Sequence, residues 1–148
     1  MSHLQVPPSG PLDALSQQYA NALCGNTSGT AALEVTMRGP RLKFYRAARV
    51  AVCGGEFTVT VTRSGSTSPA PMWESFKVGA GDVVYVGMAT QGVRCYIAVD
   101  GGFDAPIYLG SRSTFPSGNL GGYQGRPLQV PASHLLWCCA ILHARPQL

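Results

Sequence analysis

The run EFTVTVTR at 56–63 alternates without a break. Phe57, Val59 and Val61 fall on one side of an extended chain, and Thr58, Thr60 and Thr62 on the other. A helix would scatter these residues around its axis, so the stretch is committed to a half-buried strand. Short runs of the same kind surround it: AALEVT at 31–36, RLKFY at 41–45, RVAVC at 49–53, SFKV at 75–78, DVVYVGM at 82–88 and VRCYIAV at 93–99. Gly54 and Gly55, SGSTSPAP at 64–71, GAGD at 79–82 and ATQG at 89–92 read as the turns and loops between them. Strands at this spacing indicate an antiparallel barrel or sandwich. No βαβ alternation occurs, which argues against a nucleotide-binding parallel sheet.

One segment has a different period. SGPLDALSQQYANALCGN at 9–26 predicts an N-terminal α-helix, with Leu15, Tyr19, Ala22 and Leu23 as its apolar stripe. Pro11 and Asp13 suit the first turn, and Gly25 and Asn26 supply the stop. An amphipathic helix must lie on something. Ser9 and Asp13 carry two readings, as helix caps or as groups facing a substrate.

The charge balance narrows the partners. Eleven basic and 7 acidic residues give +4, but the basic residues form no cluster and do not interleave with aromatics, so no nucleic-acid partner is expected. Charged residues are only 12% of the chain, about half the usual share, which suggests a surface meant to be covered. The five cysteines, at 24, 53, 95, 138 and 139, are odd in number and contain no C-x-x-C, so reduced thiols in the cytoplasm are expected. The N-terminus lacks a signal-peptide core, and the longest apolar run, 135–142, is too short to span a bilayer. His134/Cys138 and Cys139/His143 have i,i+4 spacing but would lie on different helix faces, so no metal is expected. No G-x-S-x-G supports a serine hydrolase.

The chemistry-bearing stretch is YLGSRSTFPSGNLGGYQGRP at 108–127. Ser111, Arg112 and Ser113 can set two hydroxyls and a planar guanidinium around a carboxylate or ureido oxygen. The same residues also suit a turn whose serines bond their own backbone. Thr114, Tyr123 and Gln124 are candidates for substrate binding. Gly121, Gly122 and Gly125 lack a dinucleotide fingerprint and read as backbone positions needing positive φ. In AALEVTMRGP, Glu34 is the sole acid; a strand would place it on one face with Arg38, predicting a structural ion pair rather than a catalytic acid.

Four stretches in order, VPPSGPLDALSQQYANALCGN, LEVTMRGPRLKF, VAVCGGEFTV and CYIAVDGGFDAPIYLGSRSTFPSGNLGGYQGRPLQ, resemble the allophanate hydrolase subunit 2 family, also called carboxyltransferase subdomains A and B. The wording VPPSGPLD and GGYQGRPLQ is most similar to the urea amidolyase and urea carboxylase branch; 5-oxoprolinase subunits form another. The resemblance covers 6–130 and implies a mainly β, cyclophilin-like antiparallel barrel, here partial, with one N-terminal helix. It implies carboxyl transfer from carboxybiotin to urea or a related amide. Biotin would arrive on a carrier domain, and ATP would be used only by a biotin carboxylase domain. Further implied partners are the second carboxyltransferase half, subdomains C and D, and a small amide substrate. The segment 131–148 departs from the family, so the chain reads as truncated, with little activity alone and an aggregation-prone tail outside the barrel. A 5-oxoprolinase-type subunit and a non-catalytic binding module are the alternatives.

Overall fold

The computed structural model describes residues 10–128. After helix α1 (Ala14–Leu23) come strands β1 (Leu33–Thr36), β2 (Arg41–Lys43), β3 (Ala48–Arg63), β4 (Ser66–Pro69), β5 (Ser75–Val78) and β6 (Val83–Val99). A small hairpin of β7 (Thr114–Phe115) and β8 (Leu120–Gly121) ends the described chain. Two long strands organise everything else. β3 and β6 pair antiparallel along their length; β1 and β2 pair with successive parts of β6, and β5 and β4 with successive parts of β3. Among the described residues the sheet is mainly β and antiparallel, as expected, but open: no strand pairing closes it into a barrel.

The long strands correct the reading of the glycines. The sequence suggests turns at Gly54–Gly55 and at ATQG. Instead β3 runs through the first and β6 through the second. The register slips between Gly54 and Val59, whose partners on β6 are Cys95 and Val86, so β6 carries the surplus residues as bulges. Bulges bend a strand and increase its twist without ending it. Gly54 is required at this bend, with φ +132° and an added Cβ falling 2.6 Å from the Arg94 carbonyl oxygen. Likewise 64–71 is only partly a loop: Ser64 and Gly65 take positive φ, as the tightest hairpin turns demand, and 66–69 returns as β4 against Thr60–Arg63.

The alternation in β3 sorts as expected. Phe57, Val59 and Val61 join Val50, Val52, Val84, Val86, Ile97 and Val99 in the main core, with Leu42 and Phe44 fully buried among them. The opposite face is lined by the small side chains Ala51, Cys53 and Ala98 with Tyr96, and α1 packs there through Ala20 and Cys24.

This packing rotates the buried face by about one residue, roughly 100°, from the expected stripe, of which Leu23 still packs against this core. Leu15 and Tyr19 are 65% and 54% exposed, while Ser16, Ala20, Asn21 and Cys24 are buried. Small residues on both surfaces let the helix axis approach the sheet closely, and the buried polar groups are hydrogen-bonded. Tyr19 instead meets the edge of Trp73, with centroids 5.9 Å apart. Asp13 is the N-cap: its carboxylate accepts from the Ser16 N–H at 3.1 Å and the Ser16 hydroxyl at 2.5 Å.

Those bonds, the hydroxyl's first, hold the Asp13 carboxyl below its ordinary value. Folding therefore favours the charged form, and the contribution is full above the unfolded value of 3.8 and lost as pH falls through the lower folded value. Asp13→Ala should cost about 1 kcal/mol at pH 7. In urea unfolding the gap from wild type should close on acidification; a gap that persists in acid would remove the cap from the account.

Three cysteines sit inside the fold. Burial pushes the thiols of Cys24 and Cys95 up to about 12 and that of Cys53 up to about 11. Since the thiolate is the reactive form, brief iodoacetamide treatment of the native chain at pH 8 should leave all three unmodified in peptide mass spectra, and unfolding should expose them. Rapid native labelling of any one would contradict this packing.

Candidate functional site

Two loops and one arginine meet beside the open sheet. The loop after α1 supplies Thr27, Gly29, Thr30 and Ala31; the loop after β6 supplies Gly101, Phe103 and Asp104; Arg112 completes the lining of a cleft of about 410 Å3. Arg112 Nη1 donates to the Ala105 carbonyl oxygen and lies 3.8 Å from Asp104 Oδ1. Both charged side chains remain part-exposed, 39% for Arg112 and 51% for Asp104, so this is a solvent-facing pair whose mutual attraction is modest. The hydroxyls of Thr27 and Thr30 stand 3.1 Å apart on the other loop. A cation, a carboxylate and two hydroxyls thus offer complementary hydrogen bonds to a small polar molecule bearing both a carbonyl oxygen and an N–H.

The other sequence-derived candidates are dispersed. Ser111 and Tyr108 exchange backbone bonds, and Ser111 Oγ accepts from the Ser113 N–H at 3.1 Å, so this serine builds the turn that presents Arg112. Ser113 and Thr114 pack on the glycine hairpin: an added Cβ would lie 2.3 Å from the Ser113 oxygen at Gly121 and 1.8 Å from Thr114 Oγ1 at Gly122. Gly121, Gly122 and Gly125 all have positive φ. Tyr123 packs against the main core with the Arg126 guanidinium 5.9 Å from its ring, and Gln124 Oε1 accepts from Arg126. Asp13 caps α1 at its N-terminal end, whereas the cleft loop leaves the C-terminal end. Ser9 and the segment 131–148 lie outside the described residues.

Glu34 takes a different partner from the one expected. Its carboxylate accepts from Arg94 Nη1, from the Tyr96 hydroxyl at 2.8 Å and from the Leu12 N–H at 3.0 Å. Antiparallel pairing sets Glu34 opposite Tyr96 and Thr36 opposite Arg94, so Arg94 is the diagonal neighbour. Arg38 is out of phase because Met37, at φ 62°, breaks the strand before it. Burial, first among the causes, raises the Tyr96 hydroxyl to about 12, so it donates to Glu34 as a neutral phenol while accepting from the Asp13 N–H.

Sequence reasoning missed Thr27, Thr30, Phe103 and Asp104. The available signal was two small-residue loops, NTSGT after the helix and DGGFDAP after the last long strand.

The fold and cleft define a class: an open antiparallel sheet with one helix on its small-residue face and a polar cleft between loops. Residues 4–134 match the family model for the carboxyltransferase domain, subdomain A and B, and the chain belongs to that family. It is 41% identical over 125 residues to the urea amidolyase of Lachancea kluyveri, covering 84% of this chain and 7% of that protein. Identity to a 5-oxoprolinase subunit of Haemophilus influenzae is lower, 31% over 121 residues, covering 82% of this chain and 38% of that one. The crystal structure of Kluyveromyces lactis urea carboxylase superposes with a TM-score of 0.80 at 42% identity, over 93% of this chain and 11% of that chain. The chain therefore spans a small part of the urea-type relatives and somewhat over a third of the 5-oxoprolinase subunit. Among the described residues no helix is long and apolar enough to cross a membrane.

Proposed function

We propose that this chain supplies part of a carboxyltransferase site of the urea carboxylase type, where a carboxyl group passes from carboxybiotin to a nitrogen of urea or a related amide. Carboxybiotin is a substrate here, brought by a carrier domain, and ATP is consumed in a biotin carboxylase domain elsewhere. In the transfer, the bond between the carboxyl carbon and the biotin ureido nitrogen breaks. The same carbon bonds to the amide nitrogen, and the amide proton passes to the ureido nitrogen.

The observation that carries this reading is Arg112 paired with Asp104 in the lining of the cleft, in a chain of this family. The residues fit the chemistry. Arg112 can bind a carboxylate or ureido oxygen as charge gathers on it, and Asp104 can accept from an amide N–H. Thr27 and Thr30 add hydroxyls that fix orientation. Ser111 and Ser113 shape the Arg112 turn, with Thr114, Tyr123 and Gln124 on the adjoining hairpin. Subdomains C and D are the proposed complement of the open sheet, and the cytoplasm is the proposed compartment.

The test is a transplant. Residues 4–134 of this chain replace the matched segment of the Lachancea kluyveri urea amidolyase, and urea-dependent incorporation of labelled bicarbonate is measured. The chimera should carboxylate urea. A folded chimera that carboxylates biotin but not urea would defeat the proposal.

A further inference from the structure

Asn26 reads in the sequence as a helix stop, yet its side chain does far more than end α1. One amide hydrogen goes to the Val99 carbonyl oxygen at 2.8 Å and the other to Asn21 Oδ1 at 3.1 Å; the amide oxygen accepts from the Gly101 N–H at 2.9 Å. Asn21 is fully buried and passes the connection on, donating to the Thr30 carbonyl oxygen at 2.9 Å. Gln17 donates to the same oxygen at 3.0 Å. The two loops so gripped are the two that line the cleft. They also touch directly: the Phe103 N–H donates to the Ala31 carbonyl oxygen at 3.2 Å, and a Cβ on Gly102 would lie 2.2 Å from Thr30 Cγ2.

We infer that Asn26 is a positioning residue of the cleft, acting through Gly101 and Thr30 to set the spacing between the Thr27–Thr30 hydroxyls and the Asp104–Arg112 pair. The assignment rests on the proposed function of the cleft for its catalytic meaning, and on the hydrogen bonds alone for its structural meaning. Only asparagine fits the position. The side chain must donate twice and accept once within one short amide. Aspartate keeps the acceptor for Gly101 but loses both donors, and glutamine carries the same groups one methylene too far. A part-buried network of this kind holds its geometry because every alternative leaves a backbone group unpaired.

Two measurements separate the clamp from the function. In the 148-residue chain, hydrogen exchange is followed at the Phe103 amide, which does not touch Asn26. Asn26→Ala should speed it at least tenfold while the amides of β3 and β6 keep their protection, and Asn26→Asp, whose carboxylate would face the Val99 and Asn21 oxygens, should speed it at least as much. Unchanged Phe103 exchange in Asn26→Ala overturns the clamp; if that variant does not fold, unchanged exchange in Asn26→Asp does so. In the urea amidolyase chimera, Asn26→Ala should lower kcat/KM for urea about tenfold with biotin carboxylation intact, and Asn26→Asp should not recover the loss. Wild-type kcat/KM in Asn26→Ala overturns the positioning role. A chimera inactive before any substitution defeats the proposed function instead, and the exchange measurement still decides the clamp.

Discussion

Gly54→Ala should cost about 2–6 kcal/mol of folding stability, combining the strain of a disallowed φ with overpacking against rigid backbone. That is a large part of what a domain of this size possesses. The residue sits where β3 bends against β6, at φ +132°, and an added Cβ would lie 2.6 Å from the Arg94 oxygen and 2.7 Å from the Cys95 Cα. Neither neighbour can rotate away, because both belong to the backbone of the partner strand. Gly65 provides the control. It also has a positive φ, +84°, but nothing lies within 4 Å of an added methyl in the β3–β4 turn, so Gly65→Ala should cost only about 1 kcal/mol. Urea midpoints of the two variants measure the difference. Equal midpoints would mean that the bulged β3–β6 pairing is not held by close backbone approach.

Much of this fold is legible where a single periodicity governs. Phe57, Val59 and Val61 face the core because an alternating run has one way to bury its apolar half. The family resemblance, carried by motifs in fixed order, agrees with the family match and the urea amidolyase identity. The pair at 54–55 misleads because two glycines serve equally to turn a chain and to let two strands touch. Their role depends on whether a partner backbone arrives, and β6 arrives from some forty positions later in the chain. The helix misleads for a related reason. Leu15 and Tyr19 are bulky apolar residues on its expected stripe, and Leu23 on that stripe does pack, but the sheet face it meets is built of Ala51, Cys53 and Ala98, which admit Ala20 more closely than a leucine. Local hydrophobicity carries no record of that partner.

The candidate site divides in the same way. Arg112 stands out because an arginine between two serines in a glycine-bounded loop has evident chemistry. Asp104, Thr27 and Thr30 do not, because only the meeting of two distant loops brings them together. Leu15, Tyr19 and Trp73 remain exposed beside the open sheet. The chain matches only 7% of the Lachancea kluyveri protein, so much of that relative lies outside the matched region.

The second large effect falls on Arg112. Losing one charge-assisted hydrogen bond to a developing oxyanion costs about 1.5–3 kcal/mol, roughly a ten- to hundredfold loss of rate. The Ala105 carbonyl oxygen would lose the same guanidinium, so the 105–112 loop should loosen as well. Arg112→Lys keeps the charge but not the planar fork, and should recover only part of the activity. The decisive measurement is labelled carboxyl transfer to urea by the urea amidolyase chimera carrying Arg112→Ala, with biotin carboxylation assayed in the same preparation. The account predicts transfer reduced ten- to hundredfold and biotin carboxylation unchanged; transfer at the rate of the unsubstituted chimera would contradict it.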